Sequence, residues 1–233
     1  MICASLFNGC GVGALAMIRA NIPITKFYYS EIDKYANIVM KANFPDSIPI
    51  GDVTKVNADS FNGDNVDILM GGSPCQGFSF AGHQLNFNDS RSKLFFDFIR
   101  VRDELKPKYI LLENVRMSKK SQDIISEYMG FEPQALNSKY VSAQNRYRLY
   151  WFGKRVGDGY EQITIPPMIC KGLTMQDILE DGYATDEMTS KDGKSHCLTA
   201  RYNGAVWWNS IERKQRTMVL NDTPTMAKDG LIR

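Results

Sequence analysis

The chain has 233 residues, 43% of them hydrophobic, and a formal net charge of +2. This length suits one α/β domain with a small addition, and no apolar run is long enough to span a bilayer. The slight positive charge permits a nucleic-acid partner without arguing for one. The first residues already predict a strand, without the basic region and cleavage site of a signal peptide, so we expect no signal peptide. The chain has five cysteines and no CxxC pair. An odd number without such a pair suggests neither a disulfide framework nor a metal site, and fits a reducing cytoplasm.

The N-terminal segment has the order strand, glycine turn, helix. Residues 2–7 predict a buried strand, residues 8–13 a glycine-rich turn, and residues 14–20 a helix. This layout binds nucleotide-like ligands at a helix N-terminus, and a plain tight turn is the alternative. The spacing is not GxGxxG, which favours a ligand without a pyrophosphate.

Two further predicted strands each end close to an acidic residue. Glu31 follows strand 26–30, and Asp52 follows the short strand 48–50. Glu31 lies where this layout binds a pair of ribose hydroxyls, but the dipole of a helix over 34–43 would also favour an acid there. Asp52 could accept a hydrogen bond from a ligand's exocyclic amine, or cap the following turn.

The fourth predicted strand, residues 66–70, leads into Gly71-Gly72-Ser73-Pro74-Cys75-Gln76-Gly77. An isolated cysteine is more often a small buried hydrophobic residue. Here the glycines and the proline predict a stiff loop, because glycine permits a sharp turn and proline fixes its own φ. Such a loop lies at the carboxyl end of a strand, where open α/β sheets place their chemistry. The polar loop 81–91 could close over a substrate.

A second chemical segment follows the fifth predicted strand, residues 109–112, and begins with Glu113-Asn114. A carboxylate directly after a buried strand is partly desolvated, and such a group can hold or deliver a proton near neutral pH. We expect Glu113 and Asn114 to point into the same crevice as Cys75. Helices are predicted over 92–105, with a core-facing apolar side, and over 119–129.

Residues 132–137 and 148–152 predict a closing pair of strands. Arg146 and Arg148 alternate along the chain, so on one strand they would share a face. They are either solvated edge charges or, pointing inward, ligands for a phosphate, a thiolate or a base carbonyl. After Lys154 the periodicity weakens. The aromatic and basic residues near the C-terminus suit a nucleic-acid surface and a small-domain core equally.

Taken together, these segments resemble the cytosine-C5 DNA methyltransferases over roughly residues 1–153. Within that family they are most similar to the de novo type and to the phage enzymes. The matching motifs stand in the family's order: Phe7-Asn8-Gly9-Cys10-Gly11, Ser30-Glu31-Ile32-Asp33-Lys34-Tyr35-Ala36, Gly51-Asp52-Val53, Ser73-Pro74-Cys75-Gln76-Gly77-Phe78-Ser79, Glu113-Asn114-Val115 and Gln144-Asn145-Arg146-Tyr147-Arg148. The Pro-Cys-Gln and Glu-Asn-Val pair in this order is specific.

The resemblance implies an α/β fold with a Rossmann-like, S-adenosylmethionine-dependent methyltransferase sheet. It places the catalytic and cofactor-binding domain in residues 1–155 and a short, abbreviated target-recognition region in 156–233. S-adenosylmethionine would lie across the strand ends. The cofactor contacts that the resemblance implies are Phe7, Asn8, Gly9, Cys10, Gly11, Glu31, Ile32, Asp52 and Val53.

The resemblance also implies the chemistry. The Cys75 thiolate would add to C6 of a cytosine flipped out of double-stranded DNA, so that C5 can attack a methyl sulfonium. Glu113 would hold N3 protonated, and Arg148 with Arg146 would stabilise the thiolate and the base carbonyl. Pro74 and Asn114 would position the nucleophile's loop. Four further residues are implied as substrate contacts: Gln76, Ser79, Gln144 and Arg201.

Two departures from the family qualify these expectations. The interval between the arginine motif and Leu198-Thr199-Ala200-Arg201, which looks like the ninth motif, is short, so we expect a loose or short sequence preference. The family continues into a last motif that nothing here matches. A fragment, a subunit completed by a second chain and a degenerate copy are the alternatives, and intact catalytic motifs favour a competent core.

Two other functions remain as alternatives. One is a cytosine-C5 methyltransferase that acts on RNA such as tRNA. The other is a non-catalytic remnant that binds DNA or a partner. In each case we expect the chain in the cytoplasm of a bacterium or a phage-infected host.

Overall fold

The computed structural model describes residues 1–74, 90–180, 182–185, 187–190, 192–197 and 216–219, with only the backbone described for 90–93. Eight strands form one sheet: β1 (Ile2–Leu6), β2 (Lys26–Ser30), β3 (Ile48–Gly51), β4 (Ile68–Gly71), β5 (Tyr109–Val115), β6 (Gln134–Asn137), β7 (Tyr147–Val156) and β8 (Gly159–Gln162). Their order is β3-β2-β1-β4-β5-β7-β6, with β8 paired to β7.

Strands β1 to β5 pair with one another in parallel, whereas β7 runs antiparallel to both β5 and β8. From β1 the chain moves outward through β2 to β3 and then returns to β4 on the other side of β1. The strand order therefore reverses between β1 and β4. In open α/β sheets, ligands bind at such a point, outside the carboxyl ends of the strands.

Among the described residues, four α-helices pack on the sheet: α1 (Val12–Arg19), α2 (Lys34–Asn43), α3 (Ser90–Leu105) and α4 (Lys119–Met129). Side chains alternate along β1, so Cys3 and Ala4 belong to two separate apolar clusters. The Cys3 cluster contains buried residues of α1 and α2, and the Ala4 cluster contains those of α3 and α4. Burial raises the pKa of the Cys3 thiol to about 11, as expected of a core cysteine.

Local signals explain the helix ends that the sequence predicts. Asp33 caps α2 by accepting a hydrogen bond from Ala36 N at 2.7 Å. Ser118 caps α4, and Gly130, with a φ of 85°, ends it. The predicted bounds of β2, α2 and α4 are confirmed.

Most other predicted bounds differ by one to four residues: β1 ends at Leu6, β3 at Gly51 and β7 at Val156, and β4, β6 and α3 begin at Ile68, Gln134 and Ser90. Three differences bear on the site. Glu113 and Asn114 lie inside β5, because β7 pairs with β5 along its whole length from Tyr109 to Val115. Helix α1 begins at Val12, directly after Gly11. Arg146 precedes β7, which begins at Tyr147, so Arg146 and Arg148 do not share one strand.

The chain divides into two compact units. The first contains residues 1–135 and 148–165, and the second contains 136–147 and the described residues from Pro166 on. The functional division at residue 155 stays a prediction. None of the helices that the structure describes is both long and apolar enough to cross a membrane.

Candidate active site

The turn between β1 and α1 has an unusual backbone. Phe7, Gly9 and Gly11 all have positive φ, at 55°, 57° and 85°. A positive φ at a bulky residue such as Phe7 is strained, and such strain clusters at functional sites. At Gly11 the turn also packs closely on α2, because an added Cβ would overlap Met40 Sδ and lie 2.9 Å from the Phe44 ring. The sequence therefore needs glycine at position 11 for two reasons.

Replacing Gly11 with alanine should lower the free energy of unfolding by about 2–4 kcal/mol, through backbone strain and overlap with the fully buried Met40. Gly9→Ala is the matched control, because Gly9 also has positive φ but a Cβ there would meet nothing within 4 Å. It should cost about 1–2 kcal/mol. Urea unfolding measures both values, and equal losses would contradict the packing account.

Glu31 directly follows β2 and joins two turns. Its Oε2 accepts a hydrogen bond from Gly9 N at 2.7 Å, and its Oε1 accepts from Ile32 N and Asp33 N, each at 2.8 Å. The carboxylate thus connects the β1–α1 turn to the start of α2. Ile32 beside it leaves 78% of its surface exposed.

Asp52 follows β3 and caps the next turn. Its Oδ1 accepts from Thr54 N at 3.0 Å, and hydrogen bonds from Thr54 hold the pKa of Asp52 below its ordinary value. The carboxylate is therefore ionised at neutral pH. Val53 is 4% exposed and packs into the core, so its side chain is not available to a ligand.

The carboxyl ends of β4 and β5 lie side by side. In the sequence, β4 ends shortly before Cys75. A Cβ built on Gly72 would lie 3.2 Å from Glu113 Oε2. Asn114 is buried, and its Nδ2 donates to Ser73 O at 3.3 Å and to Ser73 Oγ at 3.4 Å. These contacts fix the point from which the chain enters Pro74 and Cys75.

Glu113 forms an ion pair with Arg148. Arg148 Nε lies 2.8 Å from Glu113 Oε1, and their side chains are 14% and 30% exposed. Arg148 stands opposite Val115 in the β5–β7 register, so it reaches Glu113 diagonally across the strand pair. The other carboxylate oxygen, Oε2, is the one directed toward Gly72.

Arg146 and Gln144 belong to the second unit. Arg146 Nη1 lies 3.3 Å from Cys197 Sγ, and its backbone N donates to Asn137 Oδ1 at 3.1 Å. Gln144 forms a bridge with Ser195. Sequence reasoning missed the Cys197 contact, since the two residues are 51 positions apart.

The rest of the predicted site lies outside the described residues. This holds for Cys75, Gln76, Ser79 and Arg201, and for residues 81–89 of the predicted closing loop. Among the described residues, Glu31, Asp52, Gly72 and Glu113 all lie at the carboxyl ends of parallel strands in the first unit. Sequence reasoning gave no role to Ser73, which directly precedes Pro74 and accepts hydrogen bonds from the Asn114 side chain.

Known proteins match this chain over most of its length. A family model described as C-5 cytosine-specific DNA methylase matches residues 1–227. The type II methyltransferase M.Eco47II of Escherichia coli is 33% identical over 92% of this chain and 56% of its own length. M.HpaII of Haemophilus parainfluenzae is 33% identical over 73% of this chain and 51% of its own length. The chain thus spans about half the length of these relatives.

Solved structures agree on the fold. A candidate DNA modification methyltransferase encoded within an E. coli prophage superposes with a TM-score of 0.56 at 27% identity, over 80% of this chain and 58% of its own. A DNMT2 mutant of Spodoptera frugiperda gives a TM-score of 0.65 at 22% identity, over 86% and 70% of the two chains, and shows the Rossmann-like fold alone. From the family match over residues 1–227, the chain belongs to the C-5 cytosine-specific DNA methylases.

Proposed function

We propose that the chain transfers a methyl group from S-adenosylmethionine to C5 of cytosine in double-stranded DNA. The observation that carries this proposal is the Glu113–Arg148 ion pair beside Gly72 and Ser73, at the entrance to the segment that contains Cys75. A carboxylate, a guanidinium and a cysteine segment at adjacent strand ends are the groups that this reaction needs. The relatives named as type II methyltransferases support the same chemistry.

The residues at the ends of β1 to β3 fit S-adenosylmethionine. Asn8 Oδ1 is buried and accepts no hydrogen bond from any residue that the structure describes, so it is an acceptor that an ammonium group could satisfy. Glu31 is a carboxylate at the position for ribose hydroxyls, and the exposed Ile32 offers an apolar surface for a base. When bound, S-adenosylmethionine supplies a methyl group on a sulfonium.

The chain's own residues would prepare the base. The Cys75 thiolate adds to C6 and turns the ring into an enamine-like species with a nucleophilic C5. Glu113, through the oxygen directed toward Gly72, holds the proton at N3, so the ring accepts electrons as the thiolate adds. Arg148 holds the carboxylate in place. Once C5 had taken the methyl group, with S-adenosylhomocysteine as the leaving group, loss of the C5 proton to solvent and elimination of the Cys75 thiolate would release 5-methylcytosine.

A methyl-transfer assay tests the proposal. The purified chain is incubated with S-adenosylmethionine carrying a tritiated methyl group and with either duplex DNA or tRNA. We expect label in DNA, recovered as 5-methylcytosine after digestion to nucleosides. Label in tRNA alone would favour the RNA enzyme, and cofactor binding without transfer to either substrate would favour the non-catalytic alternative.

We also propose that a second polypeptide segment covers the outer face of α1. Val12 and Ile18 are 71% and 52% exposed, and Leu15 is exposed beside them, whereas Ala14 and Met17 on the opposite face are buried. The family resemblance implies such a segment, because the last motif of that family contains a helix that packs beside the first one. We expect such a segment to raise the rate of transfer by the chain without being required for it. A rate that no second chain raises would contradict this proposal.

A further inference from the structure

The carboxylate of Glu31 is occupied by the protein's own backbone. It accepts three N–H groups, from Gly9 in the β1–α1 turn and from Ile32 and Asp33 at the start of α2. The Gly9 bond is the shortest of the three, at 2.7 Å, and spans 22 residues. Asn37 Nδ2 donates to the backbone carbonyl of Glu31 at 3.2 Å and so holds its main chain.

We infer that Glu31 is a positioning residue for the β1–α1 turn, in addition to the ribose contact that the family resemblance implies. The identity of the ligand rests on the proposed function, whereas the role of Glu31 in the turn rests on the hydrogen bonds alone. The turn carries Phe7 through Gly11, the segment proposed to meet the methionine part of the cofactor. Glu31 would therefore contact the ribose directly and also fix the turn that meets the methionine part of the ligand.

The turn needs such an anchor because its backbone is strained. Phe7 has a φ of 55°, and a residue in this conformation persists only when its surroundings fix it. Two bonds attach the turn to the end of β2: Asn8 N donates to Ser30 O at 3.0 Å, and Gly9 N donates to Glu31 Oε2. A hydrogen bond to an ionised carboxylate is the stronger kind. Substitution of Glu31 removes this bond, whereas the bond from Asn8 N to Ser30 O joins two backbone groups.

The number of acceptor positions on the Glu31 carboxylate links its role in the turn to its role in ribose binding. A carboxylate has roughly four acceptor positions, and the backbone uses three of them. Oε1 already accepts two of these N–H groups, so the remaining position is on Oε2, and a ribose hydroxyl that donates to Glu31 must share Oε2 with Gly9 N. Binding at the ribose end is thereby linked to the turn at the other end of the ligand.

Amide hydrogen exchange in the ligand-free protein tests the positioning role. In Glu31→Gln the single carbonyl oxygen serves Ile32 N and Asp33 N, which leaves an NH₂ group facing Gly9 N. We expect the exchange rate of the Gly9 amide to rise about tenfold or more. The Asn8 amide, bonded to Ser30 O, should exchange as before and serves as the internal reference for global unfolding.

Asp52→Asn is the matched control. Asp52 is also a proposed cofactor contact at a strand end, but its carboxylate caps only its own turn. Its replacement should leave Gly9 exchange unchanged. Gly9 exchange that is the same in wild type and Glu31→Gln, or that rises only together with Asn8 exchange, would overturn the inference.

A ligand series separates positioning from ribose binding. Calorimetry compares S-adenosylhomocysteine with its 2′,3′-dideoxy analogue, which cannot donate to Glu31. If Glu31 positions the turn, Glu31→Gln weakens binding of the dideoxy analogue by about fivefold or more. Equal affinity of wild type and variant for the analogue would overturn the inference. If wild type binds neither ligand, the proposed function fails, and the Gly9 exchange result still decides the role in the turn.

Discussion

Cys75→Ser should reduce the rate of methyl transfer to duplex DNA by a factor of about 10⁴ or more. The serine hydroxyl is a far weaker nucleophile than a thiolate at neutral pH, because the thiol ionises readily and the hydroxyl does not. Single-turnover kinetics with saturating S-adenosylmethionine measure the chemical step. Cofactor affinity should stay within about twofold of wild type, because Cys75 is proposed to touch only the base.

Cys170→Ser is the control for this prediction. Cys170 is an exposed cysteine of the second unit and has no proposed role, so its replacement should leave the rate unchanged. Retention of more than a tenth of the wild-type rate by Cys75→Ser would show that another group carries the reaction.

Glu113→Gln should reduce the rate by about 10²–10⁴-fold. The amide has the same shape and still accepts a hydrogen bond, but it cannot hold or deliver the N3 proton. It also removes the negative charge 2.8 Å from Arg148 Nε, so the free energy of unfolding must be measured on the same sample. We expect a lower kcat with S-adenosylmethionine binding preserved.

Glu132→Gln is the matched control for Glu113→Gln. Glu132 is a surface carboxylate, 57% exposed, whose Oε2 lies near Lys119 and accepts hydrogen bonds from Gln122 Nε2 and Ser126 Oγ, which a glutamine carbonyl oxygen can also accept. The same chemical change there should alter neither kcat nor stability by a measurable amount. A Glu113→Gln rate within threefold of wild type would remove Glu113 from the proposed mechanism.

Much of the fold can be predicted because its signals are local. Buried parallel strands form continuous apolar runs, and α2 and α4 have capping residues at Asp33 and Ser118. The length of β5 cannot be predicted this way. Glu113 and Asn114 break the apolar run, and only pairing with β7 keeps them in the strand. Strand β8 was missed because it is short and largely exposed, so its residues form no apolar run, and its pairing with β7 depends on the fold.

The site also has features that the sequence predicts and features that depend on contacts between distant residues. Parallel topology alone predicts that Glu31, Asp52 and Glu113 gather at one edge of the sheet. Their partners depend on side-chain conformations and on long separations, 22 positions for Gly9–Glu31 and 41 for Ser73–Asn114. For Asp52 the sequence left ligand binding and capping open, and the structure shows the cap. Cofactor contact by these residues stays a prediction.

Covalent trapping tests the central claim most directly. The chain is mixed with S-adenosylmethionine and a pool of random duplexes in which 5-fluorocytosine replaces cytosine. Fluorine at C5 cannot leave as a proton does, so the enzyme stalls while attached to C6. We expect an adduct that survives denaturing electrophoresis, maps to Cys75 by mass spectrometry and is absent from Cys75→Ser. An adduct that persists in Cys75→Ser, or methylation of ordinary DNA without any trapped species, would contradict the account.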